Sequence, residues 1–243
     1  MRCDVVAHLL FFIPARRDKP LMPMEFFLDT ANLDEIAEAR DLGVLDGVTT
    51  NPSLMAKEGI SGRNQILKHY KAICDLVGDG EVSAEVIATD FEGMVREGEE
   101  LAEIADNIVV KIPMIKDGVK ALRHFSEEGI RTNCTLVFST AQAILAAKAG
   151  ADFVSPFIGR IDDTNWDGMS LISEIAEVFA IQDYDTYILA ASIRTSRHIV
   201  EAAKAGADVV TCPLRSILGM LTHPLTDSGL KKFLEDFHRT NPS

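Results

Sequence analysis

The chain has 243 residues, enough to bury one large core, and an α/β barrel of this length is ordinarily a single domain. Its 24 basic and 37 acidic residues give a net charge of −13 without a basic patch, which argues against a nucleic-acid-binding protein. The four cysteines form no CxxC pair and the six histidines show no HExxH spacing. We therefore predict a reducing compartment, no disulfide framework and no metal site.

Residues 1–23 differ in pattern from the rest of the chain. The apolar run at 5–13 is too short to span a bilayer, and only Arg2 precedes it, whereas a signal peptide carries its basic residues before the apolar run. Three interpretations are open: a weak targeting segment, a real additional arm, or translated upstream sequence with Met24 as the natural start. We favour the third, because α/β patterning begins at Met24, and we assign residues 24–243 to one domain.

From Met24 onward, short apolar runs alternate with amphipathic stretches. Strands are predicted near 25–29, 47–50, 81–87, 107–112, 131–136, 152–155, 185–190 and 207–211. Helices are predicted near 33–41, 61–77, 91–105, 116–128, 139–149, 168–181, 195–205 and 227–239. Eight strands, each followed by a helix, predict an α/β fold of the (β/α)8 TIM-barrel type. A doubly wound open sheet is the competing fold, and the first strand lacks the GxGxxG that a dinucleotide-binding version would carry.

Lys111 lies at the carboxyl end of the fourth predicted strand, between β-branched residues typical of a buried parallel strand. Burial favours the neutral amine over the ammonium ion. A neutral lysine amine in a pocket condenses with a carbonyl to form a Schiff base. The alternative is a lysine whose ammonium group reaches the solvent at the rim of the strand.

Polar residues stand at the carboxyl ends of the other strands as well, and in a barrel these ends meet at one mouth. Asp29 ends the first strand and Glu85 lies in the third, where a carboxylate among valines and isoleucine is costly unless paired or hydrated. With Lys111 they supply what a Schiff-base enzyme needs, which is an amine and two carboxylates that move protons. Arg160, Ser192 and Arg194 follow the sixth and seventh strands and suit a phosphate group.

Most of these residues also have a purely structural interpretation. Asp29 and Ser192 are good helix caps, and Asn51 before Pro52 is a common turn opener. Thr135 is an ordinary strand residue, and Arg160 lies among aspartates with which a surface salt bridge is the default. The argument for a site therefore depends on their joint placement at one rim.

From Met24 onward the chain resembles the small-subunit transaldolases, the group that also contains fructose-6-phosphate aldolase. The matching stretches are residues 27–30, 47–54, 82–86, 109–113, 155–160 and 190–194. The TTNPS segment at 49–53 together with the lysine of the fourth strand makes the resemblance specific.

The resemblance implies a role for each matching residue. Lys111 matches the Schiff-base lysine, and Asp29 matches the carboxylate that handles the proton of the hydroxyl next to the cleaved bond. Glu85 and Thr135 match the pair that holds a catalytic water. The substrate contacts implied are Asn51 and Ser155 at the dihydroxyacetone part, Thr49 at the floor, Phe157 in the site, and Arg160, Ser192 and Arg194 at the phosphate.

Two positions separate the subgroups, since the aldolase members carry Gln in place of Glu85 and Tyr in place of Phe157. Both residues favour a transaldolase, which needs no cofactor or metal and converts sedoheptulose 7-phosphate and glyceraldehyde 3-phosphate into erythrose 4-phosphate and fructose 6-phosphate in the non-oxidative pentose phosphate pathway. The alternatives are an aldolase that releases free dihydroxyacetone, a phosphate-binding barrel without turnover, and a decarboxylase or isomerase that forms no imine.

The resemblance further implies a cytoplasmic enzyme that acts on sugar phosphates and assembles into a homo-oligomer, a pentamer or decamer. We expect no nucleic-acid or membrane partner.

Overall fold

A computed structural model describes residues 23–241, and in it eight parallel strands close into a barrel in chain order. The strands are β1 Glu25–Asp29, β2 Gly47–Thr49, β3 Glu81–Glu85, β4 Ile108–Pro113, β5 Thr132–Val137, β6 Phe153–Pro156, β7 Tyr187–Ala190 and β8 Val209–Cys212. β8 pairs with β1 and closes the barrel. The predicted (β/α)8 TIM barrel is therefore confirmed, whereas the extension predicted for residues 1–23 lies outside the described residues, apart from Pro23.

Eleven helices accompany the strands within the described part of the chain. They are α1 Leu33–Asp41, α2 Pro52–Lys57, α3 Arg63–Val77, α4 Phe91–Ala102, α5 Lys116–Glu128, α6 Thr140–Ala149, α7 Ile158–Asp162, α8 Gly168–Gln182, α9 Ser196–Ala205, α10 Leu214–Leu221 and α11 Pro224–Thr240. No helix in residues 23–241 is long and apolar enough to cross a membrane.

The eight predicted helices are present, but the expectation of a single helix after each strand was wrong in three places. The additional helices α2, α7 and α10 follow β2, β6 and β8, so they begin close to the carboxyl ends of these strands. α2 and α7 have six and five residues, too few for an apolar period of 3.6 to be recognised in the sequence.

Several strands alternate between two apolar environments. Phe27, Val109, Phe153 and Val209 belong to a small cluster inside the barrel, whereas their neighbours along each strand pack outward against the helices. Gly47 lies opposite the interior Phe27, and a Cβ at this position would stand only 2.7 Å from the phenyl ring. The glycine therefore makes room for the aromatic filling of the barrel.

Candidate active site

The pleat of the strands places the polar residues of the mouth. Side chains two residues apart on a strand face the same side of the sheet. The positions two residues beyond the interior cluster members Phe27, Val109, Phe153 and Val209 therefore also face inward, and they carry Asp29, Lys111, Ser155 and Thr211. The apolar lower interior thus passes into a polar layer at the carboxyl ends of the strands, as the strand-end argument predicts.

Lys111 forms a buried ion pair with its neighbour on the adjacent strand. The register of β3 and β4 aligns Glu85 with Lys111, and the Nζ atom lies 3.1 Å from Glu85 Oε2. The same ammonium donates a hydrogen bond to the carbonyl oxygen of Thr50 at 3.1 Å. The amine is therefore held between a carboxylate and a backbone carbonyl oxygen, and does not reach the solvent at the rim of the strand. Glu85 is the nearest group that can accept the proton of the amine.

Asp29 stands on the other side of the mouth and accepts a hydrogen bond from Thr49, whose Oγ1 lies 2.9 Å from Asp29 Oδ1. Burial raises the pKa of Asp29, while the charge of Lys111 and the hydrogen bond from Thr49 act in the opposite direction. The capping alternative for Asp29 is wrong, since the side chain of Asn32 caps α1. Asp29 is thus a partly buried carboxylate with a strengthened affinity for a proton.

A second chain of buried side chains fixes the β6 side of the mouth. Ser155 donates to Asn133 Oδ1 at 2.7 Å, and Asn133 donates through Nδ2 to Ser83 Oγ at 3.1 Å. All three residues are buried, and they belong to β6, β5 and β3. The chain holds the Ser155 hydroxyl oxygen in one place above the barrel floor.

These residues surround a cavity of about 150 Å³, hereafter the mouth cavity. It is lined by Asp29, Thr49, Asn51, Lys111, Ser155, Phe157, Arg160, Ala191, Ser192 and Thr211. Eight of the eleven predicted site residues are among them, so the structure brings most of the predicted site together. The three that do not line it are Glu85, Thr135 and Arg194.

Glu85 and Thr135 lie just behind the lining. Glu85 borders a separate, mainly apolar cavity of about 310 Å³ on the outer side of β3, and its carboxylate contacts Lys111, which lines the mouth cavity. Thr135 is buried on β5, and its hydroxyl has no hydrogen-bond partner among residues 23–241. A buried hydroxyl of this kind costs free energy unless it meets a water molecule or a ligand.

Arg160 and Ser192 line the mouth cavity, whereas Arg194 is occupied elsewhere. Within the described part of the chain no carboxylate forms a salt bridge with Arg160, contrary to the structural alternative. Arg194 forms a bidentate ion pair with Asp163, in which both N–O distances are 2.5 Å. The structure therefore does not place Arg194 beside Arg160 in the cavity.

The backbone around Ser192 packs closely against Gly159. Ser192 has a φ of +59°, and its carbonyl oxygen accepts the backbone N–H of Gly159 at 3.1 Å. A Cβ at Gly159 would stand 2.4 Å from that oxygen, so a glycine is required there. The helix that follows begins at Ser196 and is capped by Thr195, so the capping interpretation of Ser192 is wrong. Asn51, in contrast, does cap α2 while lining the cavity.

Sequence reasoning missed Thr211 in the lining and the connecting role of Asn133. Thr211 stands near the end of the eighth strand, and its Oγ1 lies 2.6 Å from Thr49 Oγ1. The search for polar residues at the carboxyl ends of strands covered the first seven strands, and the same search on the eighth strand would have found Thr211. For a metal ion, the residues that the structure describes offer no group of three or more His, Cys, Asp or Glu side chains.

The chain is similar to proteins of one family along almost its whole described length. The family model described as Transaldolase/Fructose-6-phosphate aldolase matches residues 26–242. A "Probable transaldolase" of Cytophaga hutchinsonii is 66% identical over 218 residues, which cover 90% of this chain and all of that protein. Proteins with the same description from Bacteroides fragilis (90% of this chain, all of that protein) and Porphyromonas gingivalis (90% and 99%) are 65% and 63% identical.

Solved structures with low sequence identity share the barrel. Dihydrodipicolinate synthase from Rhodopseudomonas palustris has a TM-score of 0.59 at 13% identity, with 88% of this chain and 79% of that chain covered. Thiamine phosphate pyrophosphorylase from Pyrococcus furiosus has a TM-score of 0.56 at 15% identity, with 78% and 85% covered. At these identities the likeness concerns the fold alone.

Proposed function

Because the chain belongs to the transaldolase/fructose-6-phosphate aldolase family, we propose that it is a transaldolase that transfers a dihydroxyacetone unit between sugar phosphates through a Schiff base on Lys111. The observation that carries this proposal is the Lys111 side chain, which lines the mouth cavity and lies 3.1 Å from a carboxylate able to take its proton. The enzyme is a transferase.

The first half of the reaction begins with proton transfer from the Lys111 ammonium to Glu85. The neutral amine then adds to the ketone carbon of the ketose phosphate and forms a carbinolamine. Glu85 returns the proton to the carbinolamine hydroxyl, which leaves as water and yields the iminium ion. A water molecule held between Glu85 and the unpaired Thr135 hydroxyl carries the protons between Glu85 and the carbinolamine. This water also gives the buried Thr135 hydroxyl a hydrogen-bond partner.

Cleavage of the C3–C4 bond requires a base at the C4 hydroxyl, and we assign this role to Asp29. The carboxylate takes the hydroxyl proton, the electron pair of the C3–C4 bond moves to the iminium nitrogen, and the aldose phosphate leaves. An enamine remains on Lys111. Because burial raises the pKa of Asp29, its carboxylate is a stronger base than that of an exposed aspartate. Asn51 and Ser155 hold the hydroxyl groups of the dihydroxyacetone part.

The enamine then adds to a second aldose phosphate by the reverse of these steps. Transfer exceeds release as long as water is kept from the enamine. Phe157 lines the cavity without a hydroxyl group that could hold water there, which supports transfer. Thr49 lines the floor beside Asp29.

The phosphate is held at the end of the cavity that Arg160 and Ser192 line. Arg194 joins this site when the phosphate dianion displaces Asp163 from its guanidinium group. The substrates we propose are sedoheptulose 7-phosphate and glyceraldehyde 3-phosphate, which place the enzyme in the non-oxidative pentose phosphate pathway. No cofactor takes part.

Borohydride reduction in the presence of fructose 6-phosphate tests the central step. We expect a stable adduct on Lys111, located by peptide mass spectrometry. The Asp29→Asn variant is the matched control, since it keeps the amine and should still form the adduct while losing bond cleavage. An enzyme that acts as a simple base leaves no adduct in either protein, and that result would overturn the proposal.

A second assay separates the transferase from an aldolase. Fructose 6-phosphate is incubated with and without erythrose 4-phosphate, and free dihydroxyacetone and sedoheptulose 7-phosphate are measured. A transaldolase turns over only when the acceptor is present. Rapid release of free dihydroxyacetone without the acceptor would favour the aldolase.

We further propose a homo-oligomer, a pentamer or decamer, in the cytoplasm, with no nucleic-acid or membrane partner. The cysteines at 74, 134 and 212 are free and buried, which suits a reducing compartment. α11 buries none of its residues, and its exposed apolar side chains are Leu225, Leu230, Phe233, Leu234 and Phe237. Light scattering after size-exclusion chromatography measures the assembly, and a monomer would overturn this part of the proposal.

A further inference from the structure

Two buried threonine hydroxyls connect β8 to the Asp29 carboxylate. Thr211 Oγ1 lies 2.6 Å from Thr49 Oγ1, which in turn lies 2.9 Å from Asp29 Oδ1. β1 is hydrogen-bonded to β2 on one side and to β8 on the other, so the two threonines flank the strand that carries Asp29. Both threonines are only 2% exposed.

The positions of the protons in this chain follow from valence. A hydroxyl has one proton to donate, and an ionised carboxylate can only accept. Thr49 therefore donates to Asp29, and its proton is used there. The short contact between the two hydroxyl oxygens then requires Thr211 to donate to Thr49. Each donation polarises the next, so the hydroxyl of Thr211 strengthens the bond that reaches Asp29.

We propose that Thr211 is a positioning residue for the base: by donating to Thr49 it keeps the single proton of Thr49 on Asp29 Oδ1 and leaves Oδ2 to take the proton of the substrate hydroxyl. In the cleavage step the substrate O–H bond breaks, an O–H bond forms at Oδ2, and the electron pair of the C3–C4 bond passes to the iminium nitrogen. This inference rests on the role proposed above for Asp29.

Other titratable and charged groups also face Asp29. Lys111 on β4 and Arg160 on α7 line the same cavity, and Glu85 is paired with Lys111. Cys212 on β8 has a thiol whose pKa is raised to about 12, first by burial and then by the Asp29 charge. None of these groups contacts the Thr211 hydroxyl by a hydrogen bond within the described residues. A change at Thr211 therefore reaches Asp29 through Thr49.

The test compares Thr211→Val, which has nearly the same shape without the hydroxyl, with Thr211→Ser, which keeps the hydroxyl. The hydrogen bond from Thr49 holds the pKa of Asp29 down, so weakening it should raise that pKa. We expect the acid limb of the kcat/KM profile to move up by roughly half a pH unit in Thr211→Val, because the neutral hydrogen bond from Thr211 to Thr49 contributes about 1 kcal/mol, which is somewhat less than one pKa unit, and only part of this effect reaches Asp29. Thr211→Ser should keep the acid limb of the unmodified enzyme.

An acid limb that does not move in Thr211→Val, or one that moves equally in both variants, would overturn the inference. If Thr211→Val does not fold, Thr211→Ala removes the hydroxyl without adding bulk, and melting temperatures identify any purely structural effect. Borohydride trapping separates the two proposals. An adduct on Lys111 with an unmoved acid limb rejects the role of Thr211 alone, whereas a missing adduct in the unmodified enzyme rejects the Schiff base.

Discussion

Replacing Lys111 with methionine removes the amine while keeping a side chain of similar length. The change eliminates the ion pair with Glu85 and the hydrogen bond to the Thr50 carbonyl oxygen. The two side chains of the pair are 7% and 15% exposed, so Glu85 is left almost buried without a cation. Removing one partner of a buried pair costs about 3–5 kcal/mol, and we expect the lower end because Glu85 keeps some contact with water.

A loss of about 3 kcal/mol corresponds to a fall in melting temperature of roughly 6–12 °C for a domain of this size. The double variant Lys111→Met/Glu85→Gln lacks the unpaired carboxylate and should recover most of that loss. Both variants should be folded and inactive, without any adduct after borohydride treatment. Thermal denaturation followed by circular dichroism and the coupled transfer assay provide the two measurements.

The two measurements refute different parts of the reasoning. Turnover or a borohydride adduct in Lys111→Met would show that the covalent mechanism is wrong. A melting temperature unchanged from that of the unmodified enzyme would show instead that the Lys111–Glu85 ion pair contributes nothing to the free energy of unfolding. The close pairing on which the proton exchange between Glu85 and the amine depends would then be wrong.

Three further predictions follow from the geometry. Arg160→Ala should raise KM for phosphorylated substrates roughly 10- to 100-fold, since a charged hydrogen bond contributes about 1.5–3 kcal/mol, and equal loss on free dihydroxyacetone donors would contradict its phosphate role. Gly118→Ala places a Cβ 2.1 Å from the carbonyl oxygen of Pro113 and should lower the melting temperature, while the control Gly229→Ala in α11 meets nothing within 4 Å and should not. In a Cys3→Ser background, thiol reagents at pH 8 should label the three remaining cysteines only after unfolding, because burial raises their thiol pKa values to about 11 or 12. Rapid labelling of the native enzyme would contradict this expectation. These cysteines are Cys74, Cys134 and Cys212.

The barrel was predictable because its signals are local. A short apolar run followed by an amphipathic stretch is visible within a few dozen residues, and this pattern recurs eight times. Gly150 and Gly206 end their helices with φ values of +94° and +93°, as the turn chemistry predicts. The short helices α2, α7 and α10 were missed because they depend on the loops between barrel elements.

The candidate site was also predictable only in part from the sequence. The carboxyl ends of the strands of a barrel meet at one mouth, so the sequence predicted that Asp29, Lys111 and Ser155 would share one rim. Glu85 was predicted to need a partner, and the register of β3 and β4 supplied Lys111.

Only the closed barrel decided which side chains meet. Thr49 and Thr211 are 162 positions apart in the sequence. Their hydroxyl groups are in contact because β2 and β8 both pair with β1, one on each side of it. Arg194 was predicted to face the mouth cavity, yet its guanidinium pairs with Asp163, 31 positions away. The periodicity of a strand sets the direction of a side chain, whereas its partner depends on distances across the barrel and on rotamers, which no local pattern of residues encodes.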